Sequence, residues 1–152
     1  MKILVLYHSE HHGNTEKIAK AMAEKTGSSI LIAENAGQED FSKYDIIGFG
    51  SGVYNGRLHG ELSEILSRLP QKVGKKAFIF STTGSEAYSS MAHDRFRPEL
   101  EEKGFKIIGE FSCLGFDTAL TEEGINKGRP NEQDIQDAEN FILNIISSSN
   151  KG

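Results

Sequence analysis

The chain has little of what marks several large classes of protein. Its 152 residues include one cysteine, so no internal disulfide can form and no paired-cysteine zinc or redox spacing exists. Cys113 is expected to be a small core residue. No apolar run approaches the roughly 20 residues that span a bilayer as a helix. Lysine and arginine number 17 against 22 Asp and Glu, for a net charge of −5. They are dispersed rather than clustered, which argues against nucleic acid as a partner and permits a cationic protein. The N-terminus lacks a basic region followed by an apolar stretch and a small-residue cleavage site, so a cytoplasmic location is the expectation. Repeats, low-complexity tracts and linkers are also missing. With 37% hydrophobic and 26% charged residues, residues 1–152 are expected to form one globular domain with a core large enough for two sides.

What the chain does have is alternation. Short apolar runs recur between helical patterns, and the runs are continuous rather than alternating, as suits strands buried on both faces. Strands are expected at Lys2–Tyr7, Ser29–Ala33, Ile46–Gly50, Ala77–Ser81 and Lys106–Cys113, the last interrupted by Gly109. Helices are expected at Thr15–Lys25, about Gly60–Leu69, about Met91–Lys103 and Asn131–Ser148, with Asn131 as an N-cap and a frayed tail over residues 147–152. Five strands and alternating helices define a doubly wound α/β domain with parallel order 2-1-3-4-5. In such a sheet a ligand sits at the carboxyl ends of strands 1, 3 and 4.

The loops at that edge carry the chemistry. Tyr7 is followed by His8-Ser9-Glu10-His11-His12-Gly13-Asn14-Thr15 and then a helix start. First-turn N–H groups have no intrahelical partner and lie at the positive end of the helix dipole, so this small-polar loop is an anion cradle, or else an ordinary turn and N-cap. It contains no lysine and matches neither the Walker loop nor the three-glycine dinucleotide fingerprint, so a phosphate there would be held by hydrogen bonds and the dipole. After the third strand comes Ser51-Gly52-Val53-Tyr54-Asn55-Gly56, where glycines let backbone approach a flat ring and Tyr54 offers an apolar face. Asn55-Gly56 is a peptide that turns readily with positive φ. After the fourth strand comes Thr82-Thr83-Gly84-Ser85, with Tyr88 as a second candidate ring face. Either tyrosine has the alternative of being a partly buried anchor. His93 is expected to be exposed or capping. Residues 115–131 form a long irregular loop of the kind that is usually functional or mobile.

Ser9 with Gly13-Asn14-Thr15 resembles the flavin mononucleotide (FMN) phosphate loop of flavodoxins, commonly Ser/Thr-x-Thr-Gly-Asn-Thr. This chain has one extra residue between Ser9 and Gly13, and His12 stands where a threonine is usual. The elements Phe-Ser-Cys…Gly-Phe-Asp-Thr and Gly-Ile-Asn-Lys-Gly-Arg-Pro-Asn-Glu extend the resemblance, that of a short-chain flavodoxin, over nearly the whole chain. It implies FMN as cofactor, held by Ser9, His11, His12, Gly13, Asn14, Thr15, Ser51, Gly52, Val53, Tyr54, Asn55, Gly56, Thr82, Thr83, Gly84 and Tyr88. It also implies that the Asn55-Gly56 peptide turns its carbonyl to flavin N5 in the one-electron-reduced state. The implied function is low-potential electron transport between redox proteins such as ferredoxin-like proteins, flavin reductases and low-potential oxidoreductases. The alternative is an FMN-dependent oxidoreductase on the same fold, of quinone-reductase or protoporphyrinogen-oxidising type. The cofactor carries the chemistry in either case, so no catalytic side chain or metal ligand set is assigned. Arg57 and His59 stand where many flavodoxins have acidic residues; a ring-facing Arg57 would raise the potential of the fully reduced couple. His11 and His12, beside the expected phosphate, either strengthen binding when protonated or are exposed loop histidines.

Overall fold

The structure is a computed structural model, and it describes residues 1–10 and 12–150. His11, expected at the phosphate, lies outside the described residues. Five parallel strands run β1 (Ile3–Tyr7), β2 (Ser29–Ile32), β3 (Ile46–Tyr54), β5 (Lys76–Thr83) and β6 (Lys106–Leu114), in the order β2-β1-β3-β5-β6. A two-residue strand, β4 (Arg57–Leu58), folds back on β3 with Tyr54 opposite Arg57. Without that ribbon the order is the expected 2-1-3-4-5. The helices are α1 (Asn14–Thr26), α2 (Gly60–Ser67), α3 (Glu86–Glu102) and α4 (Glu132–Asn150). Among the described residues no helix is long and apolar enough to cross a membrane.

Alternation along each strand divides the core in two. Leu4, Leu6, Ile47, Phe49 and Ile79 face Leu62, Ile65 and Leu66 of α2 and Ala92, Phe96 and Leu100 of α3. Val5, Ile46, Phe78 and Phe80 face Ile18, Ala19 and Met22 of α1 and Ala138, Ile142 and Ile145 of α4. Gly48 and Gly50 lie opposite Phe78 and Phe80 in register, and each ring covers its glycine so closely that a Cβ there would come within 2.2 Å of a ring carbon. The interruption expected at Gly109 is a register shift between β5 and β6, where Ala77 pairs with Ile107 and Phe78 with Gly109. Cys113 is buried on the α4 side, and burial pushes its thiol up to about 12, which leaves it an inert core residue.

Several boundaries differ from expectation. β3 runs four residues past Gly50, because Asn55 and Gly56, at φ 53° and 72°, close a tight hairpin that lets the strand continue to Tyr54. α3 starts at Glu86 instead of Met91: Ser85 is extended, its N–H donates to Thr83 Oγ1 at 3.2 Å, and acidic Glu86 opens the first turn. Residues 147–150, expected to fray, complete α4. The helix begins as expected after Asn131, whose Oδ1 accepts the Asp134 N–H at 2.9 Å while Asp134 Oδ2 accepts the Asn131 N–H at 2.7 Å, a reciprocal cap.

His93 is the clearest departure. It is 5% exposed, on the inner face of α3, and spans two strands. Its Nε2 meets Ser81 Oγ of β5 at 2.8 Å and its Nδ1 meets Glu110 Oε1 of β6 at 2.9 Å. The carboxylate only accepts, so Nδ1 carries the proton and Nε2 accepts from the serine. Burial holds the His93 pKa below its usual value, against the pull of Glu110. Burial alone would raise Glu110; hydrogen bonds from Arg97 and His93 outweigh it and hold the carboxyl low. A histidine kept neutral by the fold contributes stability that is fully present above its unfolded pKa of about 6.5 and is lost as pH falls toward the depressed folded value. The urea midpoint is therefore expected to fall between pH 7.5 and 5.5, and to fall less in His93→Gln. Parallel profiles for the two proteins would show that His93 does not titrate with unfolding.

Candidate functional site

The loops after β1, β3 and β5 converge at the carboxyl edge of the sheet, and residues after β6 close a fourth side. Together they enclose a cleft of about 360 Å³, within the range of small-molecule sites. Its floor is the start of α1. Gly13, at φ 69°, turns the chain into the helix in the left-handed conformation that suits glycine. Ser9 Oγ accepts the Glu16 N–H at 3.3 Å and so holds the loop against the first turn. Thr15 Oγ1 meets Thr82 Oγ1 at 2.7 Å, joining the first loop to the third in a buried contact. Asn14 Nδ2 donates to Phe116 O at 2.8 Å, which fixes the orientation of the amide. Its Oδ1 is then a buried acceptor with no partner, a costly state that a bound hydroxyl or N–H would relieve.

The second loop contributes Gly52, Val53 and Tyr54 to the cleft. Tyr54 folds back over Gly52, where a Cβ would lie 3.1 Å from the phenol oxygen. Burial, with the Glu10 carboxylate beside it, pushes the Tyr54 phenol up to about 12. Ser51 does not reach the cleft: it is buried, donates to Gly52 O at 2.6 Å and accepts the His59 N–H at 3.0 Å, bracing the hairpin. Asn55 and Gly56 form the hairpin turn, also outside the cleft lining, and the Arg95 guanidinium donates to Gly56 O at 3.1 Å. Arg57 is exposed on β4 and lines a separate groove with Arg95 and His59 rather than the cleft. The third loop supplies Thr82, Thr83 and Gly84. Tyr88 belongs to the first turn of α3, 54% exposed and outside the lining.

The fourth side, Gly115 to Ala119, joins His12 in closing the cleft. The His12 ring lies 4.5 Å from that of Phe116, and its Nε2 is 3.2 Å from Thr118 Oγ1. Asn126, farther along the same loop, donates from Nδ2 to Gly84 O at 3.0 Å and to Gly115 O at 3.3 Å, tying the loop to the end of β5. The length of this segment was a visible signal, but its lining residues were not assigned from sequence. Glu10 was also missed, and it lines the cleft with Asp117. The described lining contains these two carboxylates and no lysine or arginine.

The flavodoxin-domain family profile matches residues 4–119, and the chain belongs to that family. A protein of Methanocaldococcus jannaschii, uncharacterized protein MJ0298, is 43% identical over 151 residues, covering 97% of this chain and all of its own. Flavodoxin 2 from Bacillus cereus superposes with a TM-score of 0.67 at 23% identity, over 97% of this chain and 99% of its own. A flavoprotein from Lactobacillus acidophilus, solved in complex with FMN, superposes with a TM-score of 0.61 at 18% identity, over 73% of this chain and 92% of its own.

Proposed function

We propose that the chain is a single-domain FMN-binding flavodoxin that carries electrons at low potential between redox proteins in the cytoplasm. The observation that carries this is the floor of the cleft, where the dipole end of α1 and the orphaned Asn14 Oδ1 stand side by side. First-turn N–H groups suit a phosphate, and an unpaired acceptor suits a neighbouring hydroxyl. A phosphorylated polyol such as the ribityl phosphate of FMN offers both. Asn14, Thr15 and Thr82 would hold that chain, with Gly52, Thr83 and Gly84 giving close backbone approach to the ring and Tyr54 an aromatic flank. FMN supplies the electron-accepting ring; the protein sets its orientation and surroundings. The Glu10 and Asp117 carboxylates disfavour added negative charge on a bound group, which lowers its potential.

Riboflavin, which lacks the phosphate, separates this proposal from a general aromatic cleft. Fluorescence-quenching titrations of the flavin-free protein are expected to show FMN binding at least 100-fold tighter than riboflavin, about 2.7 kcal/mol. Equal affinities, or no binding of either, would overturn the assignment of the α1 N-terminus to phosphate.

A further inference from the structure

Beside the cleft, on the far side of Tyr54, four side chains from three parts of the chain meet. His8 follows β1 and is 6% exposed. Its Nδ1 forms a short contact with Glu34 Oε1, from the 3₁₀ turn after β2. A carboxylate only accepts, so Nδ1 carries a ring hydrogen, and in the neutral imidazole Nε2 presents a lone pair. That Nε2 is buried, makes no hydrogen bond, and points into a space where Glu10 Oε1 stands 2.9 Å away. A lone pair set against a carboxylate oxygen is repulsive unless a proton or a metal cation lies between them.

His59, at the N-cap of α2, completes the group. Its ring stacks on His8 with centroids 3.5 Å apart and planes 16° from parallel, and its Nε2 is 3.4 Å from the same Glu10 oxygen. The three ligand atoms lie within 4.8 Å of one another. Two ligands on a tetrahedral ion with bonds near 2.0–2.1 Å are separated by about 3.4 Å, which matches the His59 to Glu10 distance. The His8 to Glu10 distance is shorter, and the stacked rings must tilt apart for both in-plane lone pairs to meet one ion. Glu34 behind His8 supplies the outer carboxylate that usually orients a metal-bound imidazole. Tyr54 covers the pair edge-on, at 6.3 Å from His8 and 5.1 Å from His59.

We propose that His8 Nε2, Glu10 Oε1 and His59 Nε2 bind one divalent transition ion of the zinc class. Two imidazoles and a carboxylate favour Zn²⁺, Co²⁺ or Ni²⁺ over Mg²⁺ or Ca²⁺. Glu10 also lines the cleft, so the ion would stand next to the bound group and reduce the negative charge it experiences. Binding carries a local cost. His59 Nδ1 accepts the Glu61 N–H at 3.1 Å, whereas ligation through Nε2 moves the ring proton to Nδ1 and opens that bond. Ion binding is thereby coupled to the first turn of α2.

The test uses the full, untagged, flavin-free chain, so that it stands or fails independently of FMN binding. Calorimetric titration with Zn²⁺ is expected to give one ion per chain. Co²⁺ is expected to give the visible absorption of a low-coordinate site, and the Glu61 amide resonance is expected to shift on loading. His59→Gln, at the less buried of the two histidines, and Glu10→Gln are each expected to weaken binding at least tenfold, and His8→Gln to abolish it. No uptake of Zn²⁺ at millimolar concentration, or uptake unchanged in both His59→Gln and Glu10→Gln, would overturn the proposal. A Glu61 amide that stays in place on loading would remove His59 from the ligand set.

Discussion

Gly115→Ala is expected to weaken FMN binding more than tenfold while costing no more than about 1 kcal/mol of stability. A Cβ at this position would lie 2.5 Å from Asn14 Nδ2 and 2.9 Å from Asn14 Cγ. The backbone cannot retreat, because the Gly115 N–H donates to Thr83 O at 2.9 Å and its carbonyl accepts from Asn126. The Asn14 amide must therefore leave Phe116 O, and with it goes the orientation of the Oδ1 acceptor at the floor of the cleft. The helix, sheet and both core clusters are untouched, so affinity and stability separate. FMN titration beside a thermal melt reads both. An alanine variant that binds FMN normally would show that the Asn14 to Phe116 contact is no part of the cradle.

The second large effect concerns the sheet. Gly50→Ala is expected to destabilise the chain by about 3 kcal/mol, at the upper end for added volume in a packed core. Its Cβ would lie 2.2 Å from two carbons of the Phe80 ring, which is fully buried against α1 and α4. Phe80→Leu removes the obstructing ring atoms at the cost of a small cavity. Combined, the two substitutions are expected to destabilise less than their sum by at least about 1 kcal/mol. Additive effects in chemical denaturation would mean that the ring moves aside freely, and that the glycine is not there for close packing.

Much of the architecture was legible because it depends on local pattern. Continuous apolar runs such as Ile3–Tyr7 and Ala77–Phe80 mark strands buried on both sides, and Asn131 before Glu132 marks a helix start. The hairpin was half legible: Asn55-Gly56 signalled the turn, but the glycine-rich residues before it concealed that β3 continues to Tyr54. His93 was misjudged by residue type. Its spacing from Ser89, Phe96 and Leu100 places it on the buried face of α3, yet a polar side chain on that face becomes intelligible only when Ser81 and Glu110 are seen to meet it.

The site divides in the same way. Asn14, Thr15, Thr82, Thr83 and Gly84 came from loops whose position follows from strand order, and they line the cleft together. Tyr88 was misplaced because α3 starts five residues earlier than its composition suggested. Glu10, Glu34 and His59 surround Tyr54 and His8 only through the lateral order β2-β1-β3, which brings together residues far apart in sequence. No spacing rule along the chain contains that juxtaposition.

The most direct measurement of the central proposal is a stepwise anaerobic reduction of the FMN-loaded protein, followed in the visible spectrum. A one-electron carrier is expected to accumulate the long-wavelength band of half-reduced, neutral flavin before full bleaching. Passage from oxidised to fully reduced flavin with no such band would contradict the carrier assignment and point to a reductase that takes electrons in pairs.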